Sequence, residues 1–327
     1  MSVSVSRSTM LAGVAATAAA AAAGFPRIAS AQAMPLAMAG VSSDLFAEPF
    51  YAEAAGAFAK AGFTVTPAST LANAGAVATA IAGGTFQLGT GDLVSGVNAI
   101  LAGVPIVLVA AGGLYIEKTD QASTILAVTT DSPIKTPKDL IGKTIGVPTL
   151  VGLSTACFKA WLPAHGVQVS QVKLVEISQP VTVPALQRGT LDAGLLSEPF
   201  VTFAKGQVRS MGSPFDVAAD LSPAKQFTVS AWYANKPWFE ADPARAKAAI
   251  QAIYETARWA NANRDATFNV LVQKLQLDAE KAKGMERTTY ATSLTPGLIQ
   301  PVLTIAEQND MFKGATPAAA SLITAPK

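Results

Sequence analysis

Residues 183–200 read VPALQRGTLDAGLLSEPF, and the fold is decided there. Val181, Val183, Ala185 and Leu186 give one apolar helical face. Gly189 follows at the C-cap, where a left-handed backbone suits a residue without Cβ. Residues 191–196 are short, apolar and bounded by turn signals, as a buried parallel strand should be. Ser197 and Glu198 emerge at the carboxyl end of that strand, and Pro199 stops it. Ligands of open α/β sheets bind outside the carboxyl ends of strands, so Glu198 is a candidate for solute contact.

The pattern recurs about a hundred residues earlier. Residues 80–92, AIAGGTFQLGTGD, align without gaps on residues 185–197, ALQRGTLDAGLLS. Gly84-Thr85 falls on Gly189-Thr190, and Gly89 on Gly194. Two readings are open. These are ordinary helix–turn–strand units of one fold, or each belongs to its own lobe and offers a strand tip to a shared cleft.

Bulk properties narrow the function. A chain of 327 residues can bury a large core and divides readily into two domains. Half its residues are apolar and 14% are charged, which excludes disorder. A formal charge of +2 with no basic stripe argues against nucleic acid. Cys157 is the single cysteine, so no intramolecular disulfide or Cys-based metal site is expected. His165 is the single histidine, in the helix-end context LPAHGV, so a triad or zinc site would rest on it alone. Residues 89–96, GTGDLVSG, lack dinucleotide spacing, and Asp92 would repel a pyrophosphate. No enzyme, metal or cofactor is expected.

The first 33 residues read as a cleaved export signal. Arg7 is the charged region, residues 11–23 the apolar core, and Ala31-Gln32-Ala33 the small-x-small cleavage site. A single Arg leaves Sec export or a degenerate twin-Arg signal open. Residues 100–111 are apolar but too short to span a bilayer, and Pro105 interrupts them.

Beyond the signal, strand and helix alternate. Residues 35–41 predict a strand, 45–60 one amphipathic helix ended by Gly62, 63–67 a strand, and 74–82 a helix capped by Asn73. Thr136-Pro137-Lys138-Asp139 has the form of a capping box. Repeated βα units imply parallel sheets with helices on both faces. Residues 123–130 read as the crossover into a second lobe, and 227–234 as the return.

Four stretches carry a family resemblance: the loop after the first strand with its helix; AIAGGTFQLGTGD; DSPIKTPKDLIGKTIGVP at 131–148; and LQRGTLDAGLLSEPF at 186–200. With them, residues 36–313 resemble the periplasmic solute-binding proteins of ABC importers for nitrate, sulfonates, taurine and thiamine-type pyrimidines. The same fold family holds fungal pyrimidine synthases with a His and a Cys-rich run, which this chain lacks. The resemblance implies a type II periplasmic binding protein: two doubly wound α/β lobes, joined by two crossover strands, closing on a solute. Lobe one would be residues 34–122 and 231–327, and lobe two residues 123–230. The partners implied are a small solute and the permease and ATPase of the system. A monomer in the periplasm is expected; a solute-sensing subunit for a membrane receptor is the alternative.

By the strand-tip rule, lobe one offers Ser42, Ser43, Asp44, Asn73, Asp92 and Tyr115 to the solute. Lobe two offers Thr149, Ser154, Thr155 and Glu198, and the return crossover Trp232 and Tyr233. Helices starting after Ser43, Asn73, Asp92 and Gly152 would aim free N–H groups at the cleft, each end carrying roughly +0.5 charge. Such ends hold an anionic group without Lys or Arg. Each residue also has a plain structural role. Ser42, Asn73 and Asp92 make good N-caps, Glu198 can cap the next helix, and the aromatics can pack at the crossover. These segments contain no Arg, and Lys118 and Lys236 lie at their edges. The expected solute is therefore a small organic molecule with at most one anionic group. An amine-bearing solute facing Glu198 and Asp92 is the runner-up, and an inorganic or sulfonate anion the further alternative.

Overall fold

The computed structural model describes residues 34–117, 122–324 and 326. The stretch read from the sequence as an export signal, with Ala31-Gln32-Ala33, and Lys118 lie outside the described residues. In chain order come β1 (Met34–Leu36), β2 (Met38–Val41), β3 (Phe63–Val65), β4 (Ser69–Leu71), β5 (Leu88–Asp92), β6 (Ile106–Ala111) and β7 (Gly113–Ile116). They are followed by β8 (Thr124–Thr129), β9 (Thr144–Val147), β10 (Lys173–Glu176), β11 (Ala193–Ser197) and β12 (Val208–Ser210). Last come β13 (Gln226–Thr228), β14 (Ser230–Asn235) and β15 (Thr289–Tyr290). Two five-stranded sheets result, ordered β4-β2-β5-β14-β6 and β10-β9-β11-β8-β12. Each is the spine of an α/β lobe. β7 leads from one to the other and β13 leads back, paired with each other in a third sheet, β13-β7-β15.

The repeated motif belongs to both lobes, one copy each. Helix Ala74–Ala82, Gly84 at φ 78° and β5 form the first copy. Helix Gln179–Gln187, Gly189 at φ 70° and β11 form the second. Neither sheet is wholly parallel, however. β14 runs antiparallel to β5, with Ser230 opposite Asp92, and β8 runs antiparallel to β11, with Thr124 opposite Ser197. A strand arriving from the other lobe enters at the cleft end of the parallel strands, so it must run away from the cleft.

Local chemistry sets the helix starts. The Asn73 side chain accepts the Ala76 N–H at 2.9 Å, and Asp139 accepts the Thr136 N–H at 2.7 Å. The single helix expected over residues 45–60 is instead three pieces: a 3-10 turn Asp44–Phe46 and helices Glu48–Ala55 and Ala57–Lys60. Gly56 breaks it at φ 68°, donating its N–H to the carbonyls of Ala52 and Glu53 as a left-handed C-cap does.

The core is continuous across the lobes. Ile299, Val302, Leu303 and Ala306 of helix Pro296–Gln308 are buried in one cluster with Leu153, Ala156 and Cys157 of helix Leu153–Ala164. His165 stacks on Trp161 with ring centroids 4.0 Å apart. Among the described residues, no helix is long and apolar enough to cross a membrane.

Candidate functional site

A cavity of about 540 Å³ lies between the two large sheets. Its walls are residues 41–43, 45–46, 71–74 and Asp92 on one side, and 148–149, 153–154, 176–180, Ser197 and Phe200 on the other, with Val229 at the crossover. These segments sit at the carboxyl ends of β2, β4, β5, β9, β10 and β11. Parallel strands all finish at the same edge of a sheet, so facing two such sheets gathers six tips around one space.

Hydroxyls and amides dominate the polar lining: Ser42, Ser43, Asn73, Thr149, Ser154, Ser178, Gln179 and Ser197. Phe46 and Phe200 supply aromatic surface, beside Val41, Leu45, Leu71 and Ile177. Asp92 and Glu176 are the charged members of the lining, and neither Lys nor Arg is among the described residues there.

Asp92 is the junction of the two walls. Its Oδ1 accepts the Ser95 N–H at 2.9 Å, capping helix Leu93–Leu101, and the Leu153 N–H of the opposite lobe at 3.3 Å. Burial raises its carboxyl above the ordinary range, and these N–H donors pull it back down. Tyr233 supports it from beneath, its hydroxyl donating to the Asp92 carbonyl at 3.2 Å. The Tyr233 ring fits only because residue 96 is glycine: a Cβ there would stand 1.9 Å from Tyr233 Cζ.

Of the twelve candidates read from the sequence, Ser42, Ser43, Asn73, Asp92, Thr149 and Ser154 line this cavity. The other six are placed elsewhere. Asp44 is buried against Arg287 and Thr288. Tyr115 donates to Asp216 at 2.6 Å and packs on Phe215 and Phe227. Thr155 donates back to the Thr149 carbonyl. Trp232 donates to Glu48 at 3.0 Å inside the lobe-one core, and Tyr233 lies under Asp92. Glu198 turns away from the cavity. Residues outside those twelve that also line the wall include Phe46, Glu176, Ser178, Gln179, Ser197 and Phe200. The repeat carried a signal for one of them, since Ser197 is the counterpart of Asp92 in the gap-free alignment.

Glu198 opens on a second, wider cleft of about 840 Å³ that it shares with Lys205, Lys281, Lys283 and Glu286. Its carboxylate accepts the Thr202 N–H at 3.1 Å, the Thr202 hydroxyl at 2.9 Å and the Glu286 N–H at 3.3 Å. Its own carbonyl accepts the Ser43 hydroxyl at 3.2 Å. Burial pushes the Glu198 carboxyl up to about 7, against the pull of those donors. The folded chain thus holds this proton more tightly than the unfolded chain. Stability falls as pH rises from the ordinary glutamate range through about 7, and is level above it. Glu198→Gln is expected to flatten this fall. Its urea midpoint should match wild type near pH 5, with the variant favoured by roughly 1–3 kcal/mol near pH 8. Parallel profiles for the two proteins would show that Glu198 does not carry the slope.

Comparison with known proteins places this geometry. The family described as NMT1/THI5 like matches residues 45–267. The taurine-binding periplasmic protein of Escherichia coli (strain K12) is 29% identical over 130 residues, 38% of this chain and 39% of that protein. The match thus spans about two fifths of that relative's length. The alkanesulfonate-binding protein SsuA from Xanthomonas axonopodis pv. citri, bound to MOPS, superposes with a TM-score of 0.69 at 12% identity, over 90% of this chain and 99% of that one. The periplasmic nitrate-binding protein NrtA from Synechocystis PCC 6803 gives 0.68 at 13% identity, over 89% and 85%. At such identities the superpositions speak for a shared two-lobed fold.

Proposed function

Because the chain belongs to the NMT1/THI5-like family, we propose that it captures a small organic solute between its lobes and delivers it to an ABC permease. The periplasm is the place for that task, in keeping with the taurine-binding relative and with the export signal read in the sequence. The observation that carries the reading is the cavity itself: six strand tips from two lobes enclosing about 540 Å³, lined by hydroxyls, amides and apolar side chains. That volume suits one small molecule. A multiply charged oxyanion calls for charge-assisted donors, and the described lining offers no Lys or Arg. A partly apolar solute, resting on Phe46 or Phe200 and hydrogen-bonded by serines, fits better. The protein acts in this reading as a carrier rather than a catalyst.

Capture works by differential affinity. A solute that touches both walls binds the closed arrangement better than the open one, and shifts the population by that difference. A dissociation constant near 1 µM, about −8 kcal/mol, is ample for the task. Thermal shift of the exported protein against neutral, amine-bearing and acidic organic compounds, with nitrate and sulfate alongside, tests the solute class. Saturable stabilisation is expected from organic compounds. Stabilisation by the inorganic oxyanions alone would reject the class.

A further inference from the structure

We propose that Asp92 is a built-in counter-anion that sets the selectivity of the cleft. Its carboxylate occupies the N-terminus of helix Leu153–Ala164 and turns strong oxyanions away from that end of the cavity. Neutral or amine-bearing groups are admitted instead. The inference rests on the solute-capture reading and narrows the solute class for the same site.

An uncapped helix N-terminus is an anion site, because its first N–H groups are unpaired and the helix dipole is positive there. Helix Leu153–Ala164 opens into the cavity, and its N-cap residue, Gly152, offers no side chain to cap it. In this chain the cap comes from the other lobe. Asp92 Oδ1 accepts the Leu153 N–H while still accepting the Ser95 N–H of its own helix. A Cβ added at Gly152 would crowd Thr149 Cγ2 at 2.6 Å, while Asp92 Oδ1 would lie in ordinary contact at 3.7 Å. A second anion at this helix end would face a fixed carboxylate within a few ångströms, and the described lining holds no cation to offset it. Glu176, the other charged residue of the lining, adds to the same field. A solute amine gains from both carboxylates.

Asp92→Asn separates charge from structure. Asparagine is as good an N-cap and its Oδ1 can accept both N–H groups, so the charge is removed while the second oxygen becomes an NH2 group. Two probes with one ring, benzylamine and benzenesulfonate, are titrated by calorimetry into wild type and variant. The expected result has opposite signs: the sulfonate tightens at least tenfold and the amine weakens. A residue that merely holds the loop would move both the same way. Asp92→Ser, which also caps but leaves the Leu153 N–H free, should shift the ratio further, and it serves if the asparagine variant folds poorly. An unchanged ratio of the two affinities overturns the role of Asp92, as does a sulfonate that fails to bind either variant at about 10 mM. Benzylamine bound by wild type with an unchanged ratio would sink the Asp92 role alone. Failure of every organic compound to bind wild type would instead sink the capture reading.

Discussion

Asp44→Ala is expected to lose about 3–5 kcal/mol of folding stability, because it strands a buried cation. Asp44 is 1% exposed. Its Oδ2 accepts the Arg287 Nε–H at 3.2 Å and the Thr288 N–H at 2.6 Å. Oδ1 accepts the Tyr51 hydroxyl at 3.1 Å, and the Tyr290 hydroxyl, which donates to the Asp44 main-chain carbonyl, lies 3.2 Å from it. Truncation leaves the Arg287 guanidinium, a backbone N–H and the Tyr51 phenol without their common acceptor. The aspartate also fastens the late segment 287–290 to the first cleft loop, so its loss should loosen that wall. Urea denaturation followed by far-ultraviolet dichroism reads the effect. The double variant Asp44→Ala with Arg287→Met should recover a substantial part of the loss, since no charge is then left unpaired. A loss below about 1 kcal/mol would mean that water replaces the carboxylate, as at an exposed pair.

Trp232→Ala should cost a similar amount, about 3–5 kcal/mol, from the cavity and lost burial of a large core side chain. Trp232 is fully buried on β14, between β5 and β6. Its indole N–H donates to Glu48 Oε2 at 3.0 Å, while Glu48 Oε1 has no partner. Burial raises the Glu48 carboxyl well above the ordinary range, and the indole bond works against that rise. Trp232→Phe separates the two contributions. It keeps most of the apolar volume and removes the Glu48 partner, so it should cost about 1–3 kcal/mol. Neither variant should change which probe, amine or sulfonate, the cleft prefers. A reversed preference in Trp232→Phe would return this residue to the solute site.

Asp44 and Trp232 show where sequence reading ran out. Asp44 follows the end of β2 and Trp232 lies within β14, yet neither side chain reaches the cavity. Adjacent positions parted company: Ser43 lines the wall and Asp44 is buried beneath it; Ser197 faces the cavity and Glu198 the other cleft. Along β14, Trp232 and Tyr233 point to opposite faces, as the strand period requires, but each face is covered by its own apolar cluster. Sequence alternation identifies opposite faces and says nothing about what covers them.

What the amino-acid order determined by itself was local: the N-caps at Asn73 and Asp92, the glycine turns at 84 and 189, and the doubled helix–turn–strand unit. These depend on neighbours within a few positions. Only the tertiary structure decided which carboxylates line the cavity. A buried charge goes where its partners are, and here the partners are far along the chain. Arg287 reaches Asp44 across 243 positions, and the Leu153 N–H reaches Asp92 across 61. Packing against such distant groups made one aspartate a core anchor and left the other at the wall of the cleft.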